Sequence, residues 1–347
     1  MLAAFSPLLP EAVRLGSQAA AGRLTLRTLQ NRPLTELALL LFCFNPASVF
    51  FTAVYTESLY TAFSFLGLWL LPGNHWGAVL AFVAASATRS NGILNCWFLV
   101  HKLLMDSRQH GRLRVRASIE TLLGCILVLA PYVSMQGYGY LTFCSSSAVE
   151  PPAWCTDRFP SLYGYVQRRY WGVGFLQFYK DPARLPMIVT ALPVAYLSIR
   201  GCYRYFSSEP LRALSLGILS SDRPAPLHAI HSMPAFLRSP LAARLRKQGK
   251  ARRQPLAGYL GLPVAPYVYH WALLTAVALL VMNVHVATRF LATCPALYWY
   301  LAHYINGSAP GSDDGARGKA RGCWVWAWFG TYIVLGCLLF PNHYPWT

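Results

Sequence analysis

ASIETLLGCILVLAPYVSMQGYG, residues 117–139, decides how the whole chain must be read. Apart from Glu120 near its start it carries no charge. About 20 helical residues at ~1.5 Å each are enough to cross the ~30 Å hydrocarbon layer of a bilayer. Immediately before it, the segment 101–116 holds Lys102, Arg108, Arg112, Arg114 and Arg116. Lysine and arginine collect on the cytosolic side of membrane helices, so this basic linker is assigned to the cytosol and the following helix carries the chain to the lumen.

The composition agrees. Of 347 residues, 55% are hydrophobic and only 12% are charged, too few polar groups to cover a water-exposed globule of this length. The fold class that follows is all-α, a polytopic helical membrane protein forming a single integral membrane domain over residues 1–347. The formal charge of +18 resembles a nucleic-acid signature until it is located. Most of it lies in two segments beside apolar stretches, where it marks the cytosolic side and lipid headgroups, so no nucleic-acid partner is expected. One is 101–116. The other, 207–257, sets nine basic residues against two acids among repeated prolines and reads as a flexible cytosolic loop touching anionic lipid.

Outward from the first span, apolar segments fall at 34–54, 58–71, 76–88, 184–206, 258–283, 286–305 and 323–341, and "ILNCWFLVHKLL" follows the break at 89–92. The expectation is about nine transmembrane or re-entrant segments, the early ones being shorter than a perpendicular crossing requires. The first residues, "MLAAFSPLLPEAVRLG", lack the basic, apolar, small-residue succession of a cleavable leader, so insertion is expected through internal segments. Residues 140–183 hold no span. With Trp154, Trp171 and a run of tyrosines they read as a lumenal aromatic loop at the membrane interface. Cys144 and Cys155 bracket "SSSAVEPPAW" and can bridge where the lumen is oxidising. The sequon at Asn306 falls on the cytosolic side by charge and would go unused.

Three constellations carry polar groups into this apolar chain. In "NPASVFFTAVYTESLY", 45–60, Asn45 and Glu57 sit where burial costs several kcal/mol unless each is paired or wetted. Glu57 either orients an arginine, binds a sugar hydroxyl, pairs with another cation or simply lies exposed at a helix end. In "RSNG", 89–92, Arg89 within a membrane segment needs a partner, and a guanidinium forks two phosphate oxygens. Asn91-Gly92 is a helix break that bares backbone amides beside it. The plainer alternative is an arginine snorkelling at the interface next to a turn. In "YGYVQRRYWGVGFLQFYKDP", 163–182, Gln167, Arg168, Arg169, Tyr170 and Trp171 either grip a phosphate and stack on a sugar or anchor an amphipathic helix in the headgroups. Arg289, in "TRFLATCPALYWYLAHY", is either a lipid-phosphate contact or a helix end in the aromatic belt. No P-loop, HExxH, GxGxxG or internal repeat occurs, and neither the cysteines nor the histidines have metal-ligand spacing, so no cofactor and no metal are expected.

Taken in order, "FNPASVFFTAVYTESLY" at 44–60, "ATRSNG" at 87–92, "PAWC" at 152–155, "YGYVQRRYWGVGFLQFY" at 163–179, "LPMIVTALP" at 185–193 and "CPALYWYLA" at 294–302 resemble the GPI mannosyltransferase 2 family, the PIG-V type of endoplasmic-reticulum enzyme. The resemblance covers about residues 5–340. It implies a GT-C-like multi-pass glycosyltransferase of the endoplasmic reticulum membrane, with dolichyl-phosphate mannose as donor and a glycosylphosphatidylinositol precursor as acceptor. The second mannose would be added in alpha-1,6 linkage at the lumenal face, without a nucleotide sugar. Endoplasmic-reticulum lipids and a membrane partner subunit are the other implied partners.

The resemblance further implies an inverting mechanism in which a lumenal carboxylate takes the acceptor proton. Arg89 and Asn91 would meet the donor phosphate, with Arg168 and Arg169 behind them, and Gln167, Tyr170 and Trp171 would shape the lipid-sugar groove. Family members carry a tryptophan-aspartate motif in an early lumenal loop, and this chain is expected to begin downstream of it. The catalytic base is therefore unassigned, Glu57 and Glu11 being the early candidates. The stretch between Arg14 and Asn31 reads as too short and too polar to add a membrane helix. The rival function is a catalytically inactive form that binds membrane lipids or a partner.

Overall fold

A computed structural model describes residues 8–53, 55–145, 152–218, 256–307 and 315–342, and over these the chain is all-α. Helix α1 (Leu8–Leu29) occupies the stretch expected to be too polar for a membrane helix. It buries Ala21 and Leu24 against the core, while Arg27 donates to the Trp69 and Leu68 carbonyls at 2.7 and 2.9 Å. Asn31 then caps α2 (Arg32–Cys43), its side chain accepting the Leu34 N–H, with Pro33 in the first turn where no donor is needed.

Asn45-Pro46 ends that helix. The Asn45 amide donates to the Phe42 carbonyl and its oxygen accepts the Ala47 N–H, each at 2.9 Å, which is how an almost fully buried amide avoids its desolvation cost. A short α3 (Ser48–Thr52) leads to α4 (Glu57–Leu70) and to α5 (His75–Thr88), the latter capped by Asn74. A 3-10 turn over Ser90–Asn95 enters α6 (Cys96–His110), which stops at Gly111 in the left-handed conformation. Next come α7 (Val115–Cys144), α8 (Leu162–Trp171), α9 (Ile188–Ser208) and α10 (Pro210–Leu214). The last described elements are α11 (Ala265–Leu280), α12 (Ala287–Leu291), α13 (Pro295–Asn306) and α14 (Gly315–Leu339).

Among the described residues, four helices are long and apolar enough to cross a membrane: Val115–Cys144, Pro182–Ser208, Leu262–Leu280 and Ala316–Leu339. This corrects the expectation of about nine segments. The apolar run at 34–54 stops as a helix after 12 residues, and that at 286–305 is divided into helices of 5 and 12 residues on either side of Cys294. Helices α4 and α5, with 14 residues each, rise only about 21 Å, well short of the hydrocarbon layer. Their apolar faces are spent inside the protein, with Tyr60, Phe65, Val79 and Phe82 buried. By contrast α7 turns Ile119, Leu122, Ile126 and Val133 outward, and α9 does so with Val189, Leu192 and Ile199, as a lipid-facing wall requires. The molecule is a membrane-embedded, multi-pass helical protein. Helix α14 starts eight residues earlier than the apolar run at 323, and in this added stretch Arg321 donates to the Tyr304 carbonyl at 3.2 Å.

The two ends of the bundle differ. At the basic end, the start of α7 meets the start of α5, where a His75 ring nitrogen lies 3.3 Å from the Glu120 carbonyl, and the His101 ring meets the Leu216 carbonyl at 3.1 Å. At the other end Cys144 and Cys155 form a disulfide with Cα atoms 5.6 Å apart, as their spacing allowed. The strand of chain after α8 is tied to the end of α11 there: the Leu176 and Gly174 N–H groups donate to the Leu280 and Val281 carbonyls.

His101 makes stability pH-dependent. Burial pushes its imidazole from 6.5 down to about 4, so the folded protein keeps it neutral while the unfolded chain takes up a proton between those values. Stability is therefore complete above about pH 6.5 and falls as the pH drops through that window. The thermal midpoint in detergent should decline on acidification from 6.5 towards 4, and the decline should be shallower in His101→Gln. Parallel profiles for the two proteins would remove His101 as a source.

Candidate functional site

Glu57 opens α4, and its side chain is completely buried. A carboxylate at a helix N-terminus is favoured by the dipole, but that alone does not support a charge cut off from water. Two guanidiniums do. Arg89 Nη1 and Arg289 Nε both pair with the same oxygen, Glu57 Oε1, while Oε2 is buried without a hydrogen-bond partner among the described residues. The cluster holds two positive charges against one negative.

Each arginine is fixed by its local sequence. Arg89 closes α5 in an extended conformation, its N–H donating to the Ala85 carbonyl, and the chain then turns back over that helix. Gly92 makes the turn possible: a Cβ there would lie 2.5 Å from Ser86 Cα. That backbone cannot give way cheaply. Gly92→Ala is expected to destabilise the protein by about 2 kcal/mol or more through overpacking and to displace Arg89. An unshifted thermal midpoint for the variant would show that the turn has room. Arg289 lies in α12 with its guanidinium carbon 4.4 Å from the centre of the Phe50 ring and 4.6 Å from that of Tyr55. Cation–π attraction of this kind is strongest where water is excluded. Phe340, just beyond α14, packs edge-on against both rings.

The other expected site residues are dispersed. Asn91 is half-buried in the 3-10 turn, and the neighbouring Ser90 hydroxyl lies 2.8 Å from the Tyr163 hydroxyl, which joins α8 to the arginine turn. Gln167 is half-buried in α8. Arg168 is exposed and sits 3.6 Å from Asp157, and Arg169, Tyr170 and Trp171 are exposed as well. No hydrogen bond, ion pair or ring contact among the described residues joins the side chains of 167–171 to the Glu57 cluster. The structure thus brings together Glu57, Arg89 and Arg289, with the start of the 163–179 segment alongside. What the sequence did not reveal is the convergence of Arg289 on Glu57 and its seating on Phe50 and Tyr55. The available signal was the cost of burying Glu57, an acid in an apolar stretch that calls for a cationic partner.

The fold and this arginine pair define a helical membrane protein with a cationic, partly desolvated site at its disulfide-bearing end. The chain belongs to the mannosyltransferase (PIG-V) family, whose profile matches residues 4–347. It is a glycosyltransferase of the GPI pathway at the level of that family. It is 28% identical to the human GPI alpha-1,6-mannosyltransferase 2 over 89% of this chain and 70% of that protein. It is 29% identical to the mouse protein of the same name, with the same two coverages. To the Drosophila melanogaster GPI mannosyltransferase 2 it is 28% identical over 89% of this chain and 68% of the relative. No solved structure matches it.

Proposed function

We propose that this chain transfers the second mannose, in alpha-1,6 linkage, from dolichyl-phosphate mannose to a glycosylphosphatidylinositol precursor at the lumenal face of the endoplasmic reticulum membrane. The observation that carries the reading is Arg89, held on a buried carboxylate beside α8 and at the end of the bundle that bears a disulfide, a bond of oxidising compartments. In this reading the segments 101–116 and 207–257 face the cytosol and 140–183 the lumen. The acceptor hydroxyl attacks the anomeric carbon, and the bond from that carbon to the phosphate oxygen breaks. Dolichyl phosphate leaves with the electron pair while a base takes the hydroxyl proton. Phosphate is a stable leaving group without protonation, so the reaction calls for a cation at the phosphate rather than a second carboxylic acid. Arg168 to Trp171 supply an exposed basic and aromatic face for the lipid and sugar portions, with Gln167 half-buried beside it.

One observation favours the rival, a protein that holds the same lipids without transferring sugar. Glu57 has Oε1 occupied by two arginines and no access to water, which is no position from which to accept an acceptor's proton. The two are separated by expressing the chain in cells that lack their GPI mannosyltransferase 2 and measuring surface GPI-anchored protein. Restoration is expected. A chain that is present in the membrane yet restores nothing would overturn the transfer reading.

A further inference from the structure

We infer that Glu57 is a positioning residue that locks Arg89 and Arg289 into a two-armed clamp for the phosphate of a polyprenyl-phosphate lipid, and that Arg289 is a phosphate-contacting arm in its own right; this rests on the mannosyl-transfer reading and names how its donor is held.

A guanidinium has five N–H donors. Arg89 and Arg289 each give one group to Glu57, and neither side chain makes any other hydrogen bond among the described residues. Both are only partly accessible, at 21% and 18%, so the remaining donors sit at the edge of a desolvated site rather than in open water. Two cations brought to one carboxylate oxygen repel each other strongly at this depth, and one negative charge cannot cancel both. An anion with several oxygens, placed against the free donors, answers both the excess charge and the unused hydrogen bonds.

The clamp is also built to stay in place. Glu57 cannot swing out, because it is fully buried at the first turn of α4. Arg289 rests on two aromatic faces, Phe50 and Tyr55, which hold a flat cation without consuming its donors. Arg89 is fixed by the Gly92 turn. A single aliphatic-chain lipid phosphate suits the location, since the cluster lies among membrane helices at one end of the bundle. Glu57, in this arrangement, touches neither lipid nor sugar and acts through the two arginines.

The test uses the full chain reconstituted in nanodiscs, with dolichyl phosphate as the probe and dolichol, which lacks the phosphate, as its control. Arg289→Ala should weaken dolichyl-phosphate binding by about 10- to 100-fold, the size of one or two charge-assisted hydrogen bonds. Glu57→Gln, which keeps the shape and loses the charge, should weaken it by about 10-fold, and Glu57→Asp should recover part of that loss. In transfer assays the same variants should raise KM for the donor more than they lower kcat. Folding is followed separately by formation of the Cys144–Cys155 disulfide and by the amount of protein extracted. Glu57→Gln that folds and binds dolichyl phosphate like the wild type overturns the clamp, and so does binding of dolichol equal to that of dolichyl phosphate. If the wild type binds dolichyl phosphate through these residues but moves no mannose, the transfer reading fails and the clamp stands. If it moves mannose while Glu57→Gln keeps its donor KM, the reverse holds.

Discussion

Arg89→Ala is expected to reduce mannose transfer by about 100- to 1,000-fold, with most of the loss in kcat. The charge on the dolichyl phosphate oxygen grows as the bond to the sugar breaks, so a guanidinium fixed at that oxygen stabilises the transition state more than the bound donor. The contrast with the clamp variants is instructive. Removing Glu57 loosens two arms that remain present, whereas removing Arg89 takes away the arm nearest to α8. Arg89→Lys should fall between, because an ammonium keeps the charge but cannot fork two oxygens. The measurement is initial-rate transfer in membranes at saturating donor, normalised to the amount of folded chain. A kcat within about threefold of wild type would take Arg89 out of the site.

The second large effect is on stability, at the opposite end of the bundle. Arg212, in α10, has no exposed side-chain surface at all. It donates to the Leu260 carbonyl at 2.8 Å and to the Ser208 hydroxyl at 3.0 Å, lies 3.5 Å from the Glu209 carboxylate, and packs its guanidinium 4.3 Å from the centre of the Tyr205 ring. The Tyr269 hydroxyl shares its one proton between the Arg212 and Ala213 carbonyls, each 2.8 Å away. Arg212→Met keeps much of the volume but strips the buried carbonyl, hydroxyl and carboxylate of their common cation, and it should cost about 3–5 kcal/mol. Thermal aggregation of the detergent-solubilised chain reads this directly. A midpoint unchanged from wild type would mean that Arg212 does not hold the end of α9 to the Gly258–Leu260 turn.

Arg212 also shows where the sequence becomes opaque. In letters it was one of nine basic residues of the 207–257 stretch, and nothing distinguished it from its neighbours. Its surroundings come from Tyr205, the Leu260 carbonyl and Tyr269, on three separate elements, and a pattern of charge along one segment carries no trace of them. The α class, the membrane setting and the Cys144–Cys155 bridge were legible because each depends on composition or short-range spacing. The number of long spans was misread for a physical reason. Apolarity over 14 residues looks the same whether it faces lipid or other helices, and α4 and α5 spend theirs on the latter. At the site, the need of Glu57 for a cation was legible from the cost of burying it, and Arg89 was one of the partners available. Arg289 was recognised as a cation among aromatics but not as the second partner, since that pairing is a property of the tertiary fold.

The pairing of Glu57 with Arg289 spans 232 residues of chain, which sets a timetable for biosynthesis. At roughly 5–20 residues per second a ribosome needs on the order of 10–50 s to go from one to the other. Throughout that interval the nascent α4 holds an acid in an apolar setting with Arg89 as its sole arginine partner from this cluster. Completion of the polar centre thus waits on the arrival of α12, and a ribosome that stalls before it leaves behind a membrane intermediate in which Glu57 and Arg89 stand as a one-to-one pair, without the second arginine and the excess positive charge it brings.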